Sequence, residues 1–167
     1  MNIRIAEVRD PHQKSRIAED ILRRLPEWFG IEKALQAYVR DAASLPFWGA
    51  WTCIGFICIT VHYGHTGEIH VMGVLPEHHR QGAGRALVAK AEDALKRQGC
   101  RYLIVKTLSE TADYEPYERT RKFYKSAGFE ELVTLTEMWS PENPCLIMIK
   151  SLGAGAMGAG GPQPNGA

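Results

Sequence analysis

From Ala42 to Gly67 the chain contains no Lys, Arg, Asp or Glu. An uncharged stretch of that length belongs either in a bilayer or in the interior of a fold. Its middle, LPFWGAWTCIGFICITV (45–61), is strongly apolar. A membrane-spanning helix needs about 18–20 apolar residues in series. This run has 17, with Pro46 near its start and Gly49 and Gly55 inside it. Aromatic and β-branched residues dominate it, the types that suit a pleated sheet. It reads as two buried strands, about 46–51 and 54–63, joined by a tight turn near Thr52–Cys53, with no membrane span. Two buried strands oblige the rest of the chain to supply further strands and covering helices.

The flanking sequence has that pattern. Residues 2–8 alternate, with Ile3 and Ile5 on one face, and read as a first strand. Asp10 can cap a helix that has Pro11 in its first turn and Gln13 at the capping-box position. Its buried stripe is Ile17, Ile21 and Leu25. LPEWFG (25–30) interrupts it, and Leu35, Tyr38, Val39 and Ala42 recur at helical spacing in a second helix. After the apolar strands come a strand over 67–75, a helix over 83–98 stopped by Gly99, and a strand over 101–107. A helix over 115–126 ended by Gly128 and strands over 130–138 and 144–150 complete the order β-α-α-β-β-β-α-β-α-β-β. That order defines an α/β (α+β) sheet with helices on its faces.

A chain of 167 residues makes one domain. Net charge is +1 with no basic or acidic tail, which excludes nucleic-acid binding driven by gross charge. The cysteines, Cys53, Cys58, Cys100 and Cys145, form no C-x-x-C pair, and MNIRIAEVRD has no apolar signal core. Four reduced thiols in a cytoplasmic protein are expected. Residues 152–167 are rich in Gly, Ala and Pro and carry no charge. Such a segment cannot bury enough surface to order itself, so a disordered tail is expected after a domain over 1–151.

The chemistry concentrates in GEIHVMGVLPEHHRQGAGRALV (67–88), where a strand runs through a glycine-bearing loop into a helix. Helix N-termini expose unpaired N–H groups with a positive partial charge, and glycine lets the backbone approach a phosphate closely. Arg80 and Arg85 add charge at the loop edges. The P-loop pattern is absent, and Leu87 occupies the third glycine position of the dinucleotide fingerprint.

PEHHRQGAGRAL (76–87) resembles the coenzyme-A-binding motif of the GNAT family of N-acetyltransferases, Gln/Arg-x-x-Gly-x-Gly/Ala. Gly82 and Gly84 match the small positions, and His79 stands where Gln or Arg is usual. TRKFYKSAGFEEL (120–132) resembles the family's later segment, with Tyr124 at its tyrosine and Gly128-Phe129 at its Gly-Phe pair. Tyr117 replaces an Asn common there. The ending NPCLIMIK (143–150) looks like the closing strand of one bacterial branch. The resemblance implies the GNAT-like acyl-CoA fold, with a mixed, mostly antiparallel central sheet and helices on both faces. It implies acetyl-CoA as co-substrate and direct transfer to a primary amine of a small molecule or peptide in a ternary complex. The coenzyme site would comprise Met72, Val74, His79, Arg80, Gln81, Gly82, Ala83, Gly84 and Arg85. Met72 to Val74 would receive the pantetheine arm like an added strand, at a splay that Gly73 suits as a bulge. A main-chain N–H there would hold the developing oxyanion.

An alkylamine is mostly protonated near neutral pH, so transfer needs a base for the amine and an acid for the leaving thiolate. Tyr124 is the acid expected from the resemblance, and Glu68, at the start of the motif strand, the base. His70 lies two residues on, on the same face, and is the substitute. Trp28 and Phe29 are expected to line the acceptor pocket, with Tyr38 beside them. His62, His65 and His70 lack a metal-binding spacing, so no metal is expected. Cys100 and Cys145 have no neighbouring His to make them nucleophiles. The rival function is a non-catalytic acyl-CoA sensor or interaction module on the same fold. A scaffold acting on RNA-bound amines fits the near-neutral charge poorly. A homodimer is compatible with the sequence, although no self-complementary edge stands out.

Overall fold

The computed structural model describes residues 3–153. The uncharged run forms β2 (Phe47–Ala50) and β3 (Gly55–His62), paired antiparallel with Phe47 opposite Cys58. β2 is buried throughout and β3 over its first five residues. No helix among the described residues is long and apolar enough to cross a membrane. β1 (Ile5–Glu7), β4 (Thr66–Val74), β5 (Tyr102–Leu108), β6 (Glu130–Ser140) and β7 (Asn143–Ser151) complete a seven-stranded sheet. Its order is β1-β2-β3-β4-β5-β7-β6, and only β4 and β5 run parallel.

Two helices cover each face. α1 (Pro11–Leu22) and α2 (Glu32–Ala42) bury Ile17, Ile21, Leu35 and Val39 against Phe47, Phe56, Cys58 and Val71. Asp10 caps α1 by accepting from the Gln13 N–H at 2.7 Å. α3 (Ala83–Arg97) and α4 (Glu115–Ser126) lie on the opposite face, over Ile57, Ile59, Leu103 and Met148. α3 is the crossover that a parallel β4–β5 pair requires. Leu152 is buried, and its N–H donates to Arg101 O at 2.8 Å. The expected tail lies, from residue 154 on, outside the described residues.

Two features of β4 position the site. The expected bulge at Gly73 is absent: Gly73 pairs regularly with Phe56. A Cβ there would meet Leu25 Cδ1 at 2.9 Å and Ile21 Cγ2 at 3.1 Å, so this glycine lets the sheet approach the α1 region. The irregularity falls at His70. Partners step from Cys58↔Val71 to Ile59↔Ile69, leaving His70 as the extra residue. The bulge reverses the alternation, so Ile69 packs under α3 whereas Val71 packs under α1 and α2. Glu68 and His70 then share the α1–α2 face. The second feature is a splay. β4 and β5 pair only from Thr66↔Tyr102 to Ile69↔Val105. Beyond that point β4 stays on β3 and β5 stays on β7, which leaves a wedge between residues 70–74 and 106–108.

Candidate active site

The wedge opens toward the N-terminus of α3. A 3-10 turn (Pro76–His78) leads from β4 to Gly82, which precedes α3 with φ 89°, in the left-handed region that favours glycine. Ala86 N–H donates to Gly82 O, the first bond of the helix. The N–H groups of Gly82, Ala83, Gly84 and Arg85 have no partner among the described residues, and no side chain caps the helix. Nothing lies within 4 Å of a Cβ built on Gly82, so the backbone there faces open space. Gly84 differs in kind, since a Cβ on it would meet the Phe123 ring at 3.1 Å; its smallness allows α3 to approach α4. Arg80, Gln81 and Arg85 are exposed around this cradle, and Arg85 reaches Ser126 Oγ at 3.3 Å. His79 donates from Nε2 to Val74 O at 2.7 Å and sets its ring edge-on to Trp28, 6.1 Å between centroids. It therefore ties the loop back onto β4. Met72 and Val74 are half-buried, on the α3 face of the wedge.

Facing Met72 and Val74, Thr107 lies on β5 past the last β4 pair. Its Oγ1 is buried and has no partner among the described residues. A buried hydroxyl left unpaired is costly unless a ligand completes it. On the α1–α2 face, Glu68 is buried and both its oxygens are engaged. Lys106 Nζ lies 3.1 Å from Oε1, and His62 Nε2 lies 2.5 Å from Oε2. His70 Nε2 lies 2.9 Å from Asp41 Oδ2, with Tyr38 edge-on to the imidazole at 5.6 Å. Phe29 packs edge-on to Tyr38 at 5.8 Å, extending an aromatic row along this face.

Tyr124 lies on the opposite face, in α4, between the rings of Phe123 and Phe129. Burial, with a smaller effect of Tyr117, pushes its pKa well up. Burial likewise pushes Tyr117 up to about 12. The segment between α1 and α2 straps the wide end of the wedge to α4. Trp28 Nε1 donates to Thr120 Oγ1 at 3.0 Å, Tyr117 donates to Trp28 O at 3.3 Å, and Tyr114 donates to Glu27 O at 3.0 Å. Of the expected acceptor residues, Phe29 therefore joins the aromatic row, whereas Trp28 turns away into the strap. The three histidines disperse: His62 to Glu68, His65 to Thr66, His70 to Asp41. Cys58, Cys100 and Cys145 are buried and only Cys53 is exposed. Burial pushes Cys58 up to about 12 and raises Cys100 and Cys145, which keeps these thiols in their weakly nucleophilic form.

Sequence reasoning missed Asp41, Lys106, Thr107 and the strap. Lys106 had a signal, a lone cation inside the apolar strand RYLIVKT. Asp41 had none, since 29 residues separate it from His70.

Residues 10–129 match the model of the acetyltransferase (GNAT) family. The chain belongs to the GNAT family. Its fold matches a GNAT-family protein from Desulfovibrio desulfuricans at 20% identity and TM-score 0.75, covering 90% of this chain and 99% of that one. It matches the ribosomal-protein-S18-alanine N-acetyltransferase of Escherichia coli at 16% identity and TM-score 0.70, covering 95% and 100%. An aminoglycoside 6'-N-acetyltransferase complexed with coenzyme A matches at 19% identity and TM-score 0.71, covering 97% and 99%. No curated protein gives a significant sequence match.

The family uses acyl-CoA, and the residues present fit that group. The free N–H groups at Gly82–Arg85 suit a pyrophosphate, and the unpaired β4 edge and orphaned Thr107 hydroxyl suit an amide-bearing arm.

Proposed function

We propose that this enzyme transfers an acetyl group from acetyl-CoA directly to a primary amine of a small molecule or peptide, both substrates being bound together. The observation that carries the reading is the wedge: a parallel pair that stops at Ile69↔Val105 and opens onto a helix N-terminus with four free N–H groups. Gly82, Ala83, Gly84 and Arg85 hold phosphate through their backbone, with Arg80 and Gln81 beside them. Met72 and Val74 on one strand and Thr107 on the other flank the arm. When bound, the coenzyme supplies the acetyl group as a thioester, an electrophile that needs no metal.

The wedge passes through the sheet, so its two faces carry different groups. The acceptor enters from the α1–α2 face, where Phe29 and Tyr38 offer apolar contact and the partly exposed carboxylate of Asp41 favours an ammonium. A proton acceptor is available there on β4, at Glu68 or His70. Tyr124, on the α3–α4 face, keeps its proton until the sulfur leaves and then donates it.

A thermal-shift titration with acetyl-CoA and CoA, followed by an amine panel read by thiol release, tests the reading. A ligand at about 100 times its Kd stabilises the fold by about 2.7 kcal/mol. A clear shift with amine-dependent thiol release supports the transferase. A shift without release on any amine favours the sensor, and no shift at all overturns coenzyme binding.

A further inference from the structure

His70 is the first residue of β4 past the last β5 pair, and it is also the bulged one. It therefore stands at the apex of the wedge, on the acceptor face. Its Nε2 faces Asp41 Oδ2 at 2.9 Å. A carboxylate only accepts, so the proton of a neutral imidazole sits on Nε2, and Nδ1 keeps its lone pair. Nδ1 has no partner among the described residues. Tyr38, edge-on at 5.6 Å, fixes the ring plane from the other side. Glu68 is less available, because it is buried and each of its oxygens already holds a partner, Lys106 on one and His62 on the other.

We infer that His70 is the general base and that Asp41 is its positioning residue; this rests on the transferase reading above. The acceptor's ammonium gives a proton to His70 Nδ1. The freed lone pair forms the nitrogen–carbon bond to the acetyl carbonyl carbon. The carbon–sulfur bond breaks, and its electron pair leaves on sulfur, which takes the Tyr124 proton. The second ammonium proton, acidic once nitrogen is acylated, passes through solvent to restore Tyr124, and His70 gives its proton to solvent, which leaves a neutral amide, a free thiol and both side chains in their starting states. Asp41 holds the productive tautomer and offsets the imidazolium charge, as a carboxylate does behind a catalytic histidine. Glu68 anchors Lys106 and His62 in place of reacting.

Several titratable groups lie in the cluster that contains His70. Asp41 and Tyr38 on α2 touch it, and beyond them lie Glu68 on β4, Cys58 on β3 and Cys145 on β7 near Tyr38, Lys14 on α1 near Cys58, and Lys106 on β5 against Glu68. A pH profile alone does not identify which of them titrates, so the test joins two readouts on the full chain. Nitrogen-15 NMR of the ligand-free protein is expected to show the His70 Nε2–H tautomer, and Asp41→Ala to abolish that preference. Thiol release from acetyl-CoA with the best amine of the panel is expected to fall about 10²–10⁴-fold in His70→Gln. That variant should lose the acidic limb of the parent's kcat/KM profile, keep the acetyl-CoA thermal shift, and regain turnover with added imidazole. Glu68→Gln is expected to retain the limb. An Nδ1–H tautomer in the parent, or an unchanged limb in His70→Gln, overturns the assignment. A parent chain that releases no thiol with any amine overturns the transferase reading itself, and this assignment with it.

Discussion

Tyr124 combines two properties an acid needs: a hydroxyl that stays protonated and a rigid seat. Its seat is the Phe123 and Phe129 rings, 5.2 and 5.4 Å away, and burial raises its pKa. A phenol held neutral is a donor and a poor base. Tyr124→Phe keeps the ring and removes the hydroxyl. The expected result is a fall in kcat of about 10²–10³-fold with the acetyl-CoA thermal shift retained. An unchanged kcat between about pH 6 and 9 would assign Tyr124 to packing instead. At this scale the sequence placed Gly82 before α3 and Tyr124 within α4, where the structure has them. The Asp41–His70 pair was not legible, because it forms only when α2 docks over a bulge that itself depends on register with β3.

The start of α3 is the element to which the proposal assigns the coenzyme's phosphates, and its two glycines act by different physics. Gly84 is small so that Phe123 can lie against it, whereas Gly82 meets nothing and is required by its φ of 89°. A β-branched residue at Gly82 loses about 1–2 kcal/mol in the left-handed region and relaxes by rotating the loop, which turns the free N–H groups aside. Gly82→Val is expected to weaken acetyl-CoA binding at least tenfold by calorimetry, while Gly82→Asn, which tolerates that region, retains most of it. Equal affinity in parent and Gly82→Val would remove the loop from the phosphate site. Element identities were legible throughout: α4 spans the expected 115–126, and the uncharged run became two strands because its residues suit a sheet. The resemblance implies a splay beside β4, but its position was not legible in the residues: the ladder stops after Ile69↔Val105 and the bulge falls at His70, not Gly73. Where a parallel ladder stops depends on how two strands are held by their other neighbours, here β3 and β7, and no local pattern encodes that.

For the whole molecule, burial and surface charge act at opposite ends of the pH scale. Tyr38, Tyr117 and Tyr124 are all raised by burial from the ordinary phenol value of 10, Tyr117 to about 12. Cys58, Cys100 and Cys145 are raised by burial from 9, Cys58 to about 12. Above those ordinary values the unfolded chain has released protons that the folded chain still holds. Stability is therefore fully present below about pH 9 and falls as pH rises toward 12. Glu32, Glu77, Glu118 and Glu131 are lowered, chiefly by hydrogen bonds: Arg23 to Glu32, Lys122 to Glu118, Lys125 to Glu131, and a backbone N–H to Glu77. Their contribution has the opposite sign and fades as pH falls below the ordinary carboxylate value, but solvent and salt screen such exposed pairs. Melting temperature measured from about pH 3 to 12 at low and high salt should show both limbs. The alkaline limb is expected to be steep and insensitive to salt, and the acid limb shallow and weakened by salt. Tyr117→Phe should move the alkaline onset upward if that buried phenol drives it. An alkaline limb that responds to salt as strongly as the acid one would mean that these phenols and thiols titrate in contact with solvent, and the packing of the strap against α4 would have to be looser than its hydrogen bonds indicate.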